Sequence, residues 1–357
     1  MEKRVGIRQV VYIAALFLIA QFMGLMLISL AYFPAYISVQ ASSGQSNPVS
    51  FVFWLILNII IVITIMMLIF RYYKGDMFFK LLEAYIVIFG SFFFFLFVVN
   101  DAVPSVSFLL ASGFAFAAAV LLFIYKTKTN RNRNLVTMIA SIGAGVFIGV
   151  SIGISFGFLL LYAMLGIFAI YDYLAVFVLK FMIPFAQESS KRNLSVMIGS
   201  SDMEILPKGS GINKMKKEEI AKISSPEVKN AIARGNVPVV SSIMLGNGDI
   251  ILPMVLATGA YAVYANFFLS AMIIAGAGTG LFATMALLRR YKVGLPAIPP
   301  LFAFISLFLA AAFFLSGNGN YAVPAAFLVF GLVSIWALVF TLQSAEKKQK
   351  ALSVRPG

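Results

Sequence analysis

Apolar residues run along this chain in long blocks almost free of charge, separated by short polar breaks. The first block, Val10–Tyr32, follows Lys3, Arg4 and Arg8 and is too long for the apolar centre of a cleavable secretion signal, so it reads as a retained membrane span. Pro34–Ser50 is polar yet uncharged. A second span, Phe51–Phe70, ends at Arg71, and a third covers Leu81–Val99. Asn100, Asp101 and Pro104 make a turn before a fourth, Ser105–Tyr125, which stops at the basic run Lys126–Arg133. From Leu135 to Phe185 the chain is almost continuously apolar, more than one crossing needs at ~20 residues per helix. The expected break is Ser151–Ser155, around Gly153, giving a fifth span Leu135–Val150 and a sixth Phe156–Phe185. Gly145, Gly149, Gly153 and Gly157 recur at four-residue spacing, the mark of a helix face that lets a neighbour come close. Val239–Tyr264, Ala265–Leu288, Leu301–Leu315 and Ala322–Leu342 complete the series. The fold class is all-α: a polytopic membrane bundle of nine or ten transmembrane helices.

One long hydrophilic segment interrupts the pattern, residues 187–238. It separates a six-span part, 1–186, from the C-terminal spans, 239–343, and a short tail, 344–357. Within it, Ser225-Pro226-Glu227 through Gly235 carries the cap, first-turn proline and terminal glycine of a short helix.

Composition agrees: of 357 residues 61% are hydrophobic and 11% charged, which no soluble domain of this length shows. The net charge of +14 invites a nucleic-acid reading, but its placement removes it. With the N-terminus cytoplasmic, all 27 Lys and Arg fall on or near the cytoplasmic side and the alternate loops carry none. The expected surroundings are a lipid bilayer, with no nucleic acid. The chain has no cysteine and no histidine, which excludes disulfides, His-based zinc sites and Ser-His or Cys-His nucleophiles. No metal and no organic cofactor is implied.

The carboxylates carry the remaining chemistry. Of 13 acids, ten lie in tails, loops or turns, and Glu83 opens the third span. Only Asp172 and Asp249 lie deep in apolar spans, where a carboxylate costs ~2.5–3.5 kcal/mol or more to insert. Asp172 stands eight residues before Lys180, and Asp249 about ten past the start of its span; at ~1.5 Å per residue both lie ~12–15 Å from the inner boundary. Consecutive antiparallel helices bring two such side chains together. Acids that meet in low dielectric do not both ionise, so one holds a proton and the other acts as base. On depth and pairing alone, a hydrolytic dyad and a membrane transporter or cation pathway using the same two carboxylates stand level, with a silent scaffold as a third possibility.

Three motifs then break the tie. Tyr171-Asp172, Gly246-Asn247-Gly248-Asp249 and Leu295-Pro296-Ala297-Ile298-Pro299 occur in the order of the YD, GxGD and PAL motifs, with a long hydrophilic loop between the acids. The chain resembles the GxGD intramembrane aspartyl proteases of the presenilin and signal peptide peptidase type, over roughly its whole length in span order. The shorter prepilin-peptidase-like enzymes also carry GxGD, but their paired acids are arranged differently. The resemblance implies a presenilin-like bundle and an aspartic-type endopeptidase that cuts peptide bonds within transmembrane segments. Asp172 and Asp249 are then catalytic. Tyr171, Leu245, Gly246, Asn247, Gly248, Pro296, Ala297, Ile298 and Pro299 line the path of transmembrane substrates. The family's Pro-Ala-Leu is Pro-Ala-Ile here, and the tenth apolar segment exceeds the family's nine. Pro296, Pro299 and Pro300 remove three backbone donors, which suits either an extended segment pairing with an unwound substrate or a simple helix start.

Overall fold

A computed structural model of the chain describes residues 7–29, 77–103, 105–128, 133–179, 197–206, 237–291, 295–316 and 321–353, with isolated positions between 53 and 65. Among the described residues the helices are α1 (Ile7–Ser29), α2 (Met77–Ala102), α3 (Phe108–Lys128), α4 (Arg133–Ser155), α5 (Phe158–Tyr173), α6 (Asn247–Tyr264), α7 (Phe267–Tyr291), α8 (Ile298–Leu315) and α9 (Ala322–Ser353). Two strands, β1 (Met197–Leu206) and β2 (Val237–Gly246), stand between α5 and α6. Six of the described helical stretches are long and apolar enough to cross a membrane. Most of the expected second span and the expected helix at 225–235 lie outside the described residues.

Three of the boundaries that differ from the sequence expectation have a local reason. The break between the fifth and sixth spans falls at Phe156–Gly157, not at Ser151–Ser155, because the Gly157 backbone is extended (φ −67°, ψ 148°) and opens α5. Gly153 instead stays helical. The apolar run from Val239 is no single helix: its first part is β2, rich in Val and Ile and carrying Pro238, all poor for a helix interior. β2 pairs antiparallel with β1 from Met197↔Gly246 to Leu206↔Val237. The last span before the C-terminal helix begins at Ile298 rather than Leu301, with prolines in its first turn where their missing N–H groups cost nothing.

The helix α6 sits at the centre. It packs against α1, α4, α5 and α7, and its residues Leu252 to Ala260 are buried on every side. The glycine face of α4 makes this possible. A Cβ at Gly149 would sit 2.8 Å from Met254 Sδ, and one at Gly153 would lie 2.8 Å from the Val255 carbonyl oxygen and overlap the Thr258 hydroxyl. Gly276 and Gly280 of α7 do the same toward the backbone of α8 at Ile305 and Leu301. Without a hydrophobic driving force between helices in lipid, such close backbone approach is a main source of association. Glu83 of α2, which opened its span, is ion-paired with the buried Lys126 of α3.

At its far end α6 stops on Ala265, whose left-handed conformation (φ 47°, ψ 30°) directs its N–H to Tyr261 O at 2.8 Å. A left-handed alanine is strained where glycine is not, so Ala265→Gly is expected to stabilise the protein by about 1 kcal/mol, read as a rise in thermal midpoint in detergent.

Candidate active site

Asp172 is the next-to-last residue of α5 and is only 6% exposed. Just beyond it the helix widens into one π turn, Leu174–Val178, closed by Leu179 N–H to Leu174 O at 2.9 Å. Such turns re-aim the side chains around them. The Asp172 carboxylate reaches the start of α8, where Oδ2 accepts the Ile298 N–H at 3.1 Å and the Ala297 N–H also faces it. The local chemistry explains why. A helix leaves its first N–H groups without partners. Here Pro299 and Pro300 have none to offer, and Ala297 has no side chain able to cap. The two donors that remain are those of Ala297 and Ile298, and both serve Asp172. The proline-rich segment is therefore a helix start that presents two N–H groups to an acid on another helix, and among its described residues only Leu295 and Pro296 precede the turn into α8.

Asp249 sits in the first turn of α6, not ten residues into a helix as the unbroken apolar run suggested. Its Oδ2 accepts the Gly246 N–H at 3.2 Å, one half of a capping box. A carboxylate at this position also favours the positive end of the helix dipole. Both acids thus rest on backbone N–H groups at helix N-termini, one on its own helix and one on a neighbour's. Asp249 and Asp172 interact electrostatically across the site.

The other expected site residues divide. Pro296, Ala297, Ile298 and Pro299 are buried against the Asp172 end of the site. Leu245 is buried, and Gly246 and Asn247 are half-buried, with Asn247 Nδ2 directed at Ser141 O of α4 at 3.4 Å. Gly248 is exposed, and a Cβ there would meet nothing within 4 Å. Its lack of a side chain does not serve to admit a neighbouring helix, since the space there is open. Tyr171 is half-buried, with its ring 6.5 Å from that of Phe168.

The profile of the family described as "Signal-peptide peptidase, presenilin aspartyl protease" matches residues 9–315. The chain belongs to this family. It is an intramembrane aspartyl protease and a multi-pass integral membrane protein, and the family's substrates are transmembrane proteins. Among solved structures, one described as a presenilin family intramembrane aspartate protease in space group C222 aligns with a TM-score of 0.50 and 16% identity, covering 84% of this chain and 97% of that one. A second, in space group P2, aligns at 0.48 and 17% identity over 85% and 96% of the two chains. At this identity the likeness speaks of the fold, and the fold is presenilin-like. No curated protein matches the chain. The family match ends at Leu315, so α9 lies beyond it.

This presenilin-family protease has contacts around the site that the motifs do not announce. Ser306 of α8 donates to Phe302 O at 2.7 Å, so the hydroxyl bond it shares with Tyr162 of α5, also 2.7 Å, has the tyrosine as donor. In the same way Thr341 of α9 donates to Ala337 O and accepts from Tyr173, the residue after Asp172, at 2.7 Å. These bonds fasten α5 to α8 and α9. The available signal was polarity within apolar helices, which by itself names no partner.

Proposed function

We propose that Asp172 and Asp249 are the catalytic pair of this protease and share one proton. The observation that carries the reading is the matched seating of the two acids, each on a backbone N–H at a helix N-terminus and within reach of the other. Two like charges that interact in a low-dielectric interior repel, which favours one ionised and one protonated carboxyl. The ionised carboxylate takes a proton from water as the water oxygen attacks the scissile carbonyl carbon. The protonated partner gives its proton to the carbonyl oxygen. Collapse of the resulting diol breaks the C–N bond: one diol hydroxyl returns its proton to the acid that first donated, and the leaving nitrogen takes a proton from the acid that first served as base.

A peptide bond inside a helix is shielded by its own turn, so the substrate segment must be extended before it is cut. The β1–β2 sheet supports this step: it ends at Gly246, three residues from Asp249, and a two-stranded sheet has unpaired edges for an extended segment to join. The approach is supported by an apolar cavity of about 830 Å³ between α5, α8 and α9, bounded by Gly166, Ala169, Tyr173, Pro299, Phe302 and Phe327.

The test is purified protein in lipid vesicles with a labelled single-span peptide, with and without a transition-state-analogue inhibitor of aspartyl proteases. Cleavage is expected to follow a bell against pH, falling at low pH when both acids are protonated and at high pH when both ionise, with inhibitor binding strongest near the same optimum. Cation flux without peptide products, lost in Asp249→Asn and indifferent to the inhibitor, overturns the reading.

We place the N-terminus, the 187–238 loop and the C-terminal tail on the cytoplasmic side, on the strength of the lysine and arginine distribution. The chain has no cysteine, so single cysteines report cleanly. Those replacing Ser210 or Ser353 are expected to react with an impermeant thiol reagent only after the membrane is opened, and one replacing Ser43 to react in intact cells. The reverse pattern inverts the orientation.

A further inference from the structure

The first helix carries a polar residue at a place where an apolar one would fit. Gln21 lies on the buried stripe Ile13, Phe17, Ala20, Leu25 and Ile28 of α1 and is 1% exposed. Its Nε2 donates to the carbonyl oxygen of Ile250, the residue after Asp249, at 2.7 Å. Its Oε1 is buried and has no hydrogen-bond partner among the described residues. A buried acceptor left unmatched costs about what a made hydrogen bond returns. Hydrogen bonds between membrane helices return little in the first place. The side chain is therefore no net stabiliser, and a leucine or methionine would serve the packing as well.

What the glutamine does supply is a fixed point on a weak turn. The first turn of α6 contains Gly248, follows Gly246, and is followed by Pro253. Pro253 has no N–H, so the Asp249 carbonyl oxygen loses the bond that residue would have made to it four positions on. Backbone freedom at the glycines and a missing rung at the proline both fall on the turn that aims Asp249. Asn247 ties this turn to α4 through a bond of 3.4 Å, longer than the 2.7 Å bond from Gln21. Gln21 ties it to α1, and one turn further on α1 is pressed against α6, since a Cβ at Gly24 would lie 2.6 Å from Met254 Sδ. The anchor is thus itself held firmly.

We propose that Gln21 is a positioning residue for Asp249: from outside the three motifs, its amide holds the first turn of α6 at the depth and rotation that let Asp249 meet Asp172. The proposal rests on the catalytic assignment of the two acids. It concerns aim and not binding, so it predicts a split in the kinetics. Gln21→Met keeps the volume and removes the donor. Its kcat for the labelled single-span peptide is expected to fall about tenfold or more, since displacements of an ångström or less in a catalytic group have effects of this order and larger. KM is expected to stay within about threefold, because no substrate contact is lost. The thermal midpoint is expected to stay or rise.

The experiment measures kcat and KM for wild type, Gln21→Met, Gln21→Leu and Asp249→Asn in the same vesicles, with sites counted by titration with the transition-state analogue. An unchanged kcat per titrated site in both Gln21 variants overturns the positioning role while leaving the catalytic pair intact. A loss of rate matched by a loss of titratable sites and of thermal midpoint also overturns it, since that is a folding defect. Cleavage that persists in Asp249→Asn removes the catalytic assignment on which the proposal rests.

Discussion

Asp172→Asn and Asp249→Asn are each expected to lower cleavage of a single-span peptide by about 10³-fold or more while leaving the protein folded, because on the proposed assignment each removes one member of an acid–base pair that acts as a unit. The substitution is a clean one at both positions. The asparagine carbonyl oxygen still accepts the N–H of Ile298 at residue 172, or that of Gly246 at residue 249. The helix starts at α8 and α6 therefore keep their partners, and loss of a buried charge leaves the fold as stable or more so. Retained thermal stability with lost cleavage separates the two effects in one measurement. Cleavage within about tenfold of wild type by either variant is too small a loss for a general acid or base and ends the assignment.

Gly153→Ala is expected to destabilise by about 2–3 kcal/mol and to depress cleavage with it, whereas Gly157→Ala, four residues on in the same series, is expected to stay within about 1 kcal/mol of wild type. At Gly153 the added methyl meets the Val255 carbonyl and the Thr258 hydroxyl, and neither can step aside without moving α6. Thr258 is fully buried and already gives its proton to Met254 O at 2.8 Å. Since α6 carries Asp249, pushing it off α4 disturbs the site from the far side. At Gly157 a methyl meets nothing within 4 Å, and the extended backbone there accepts any residue. The only expected cost is that of a poorer helix cap. Thermal midpoints and cleavage rates of the two variants, measured side by side, decide it; equal effects dismiss the close approach of α4 and α6 as the reason for the glycines.

The same pair of glycines shows where reading along the chain stops. The sequence alone determined the membrane class, most of the helix positions and the two acids, because each rests on a property of a single residue or window. Twenty apolar residues match a bilayer whatever surrounds them, and a carboxylate inside such a run stands out wherever it is found. It also determined the order of the three motifs, and with it the family. It did not determine that the run from Val239 is part strand and part helix, since valine and isoleucine suit either a strand or a buried span and only pairing with β1 selects the strand. Nor did it tell Gly153 from Gly157, or distinguish an extended proline-rich segment from a helix start aimed at Asp172. The bond from Ile298 to Asp172 joins residues 126 apart, and that from Gln21 to Ile250 joins residues 229 apart. No local pattern encodes contacts of that separation. They exist because helix packing at close glycine contacts sets each backbone's depth and rotation, and only that packing decides which lone polar group meets which.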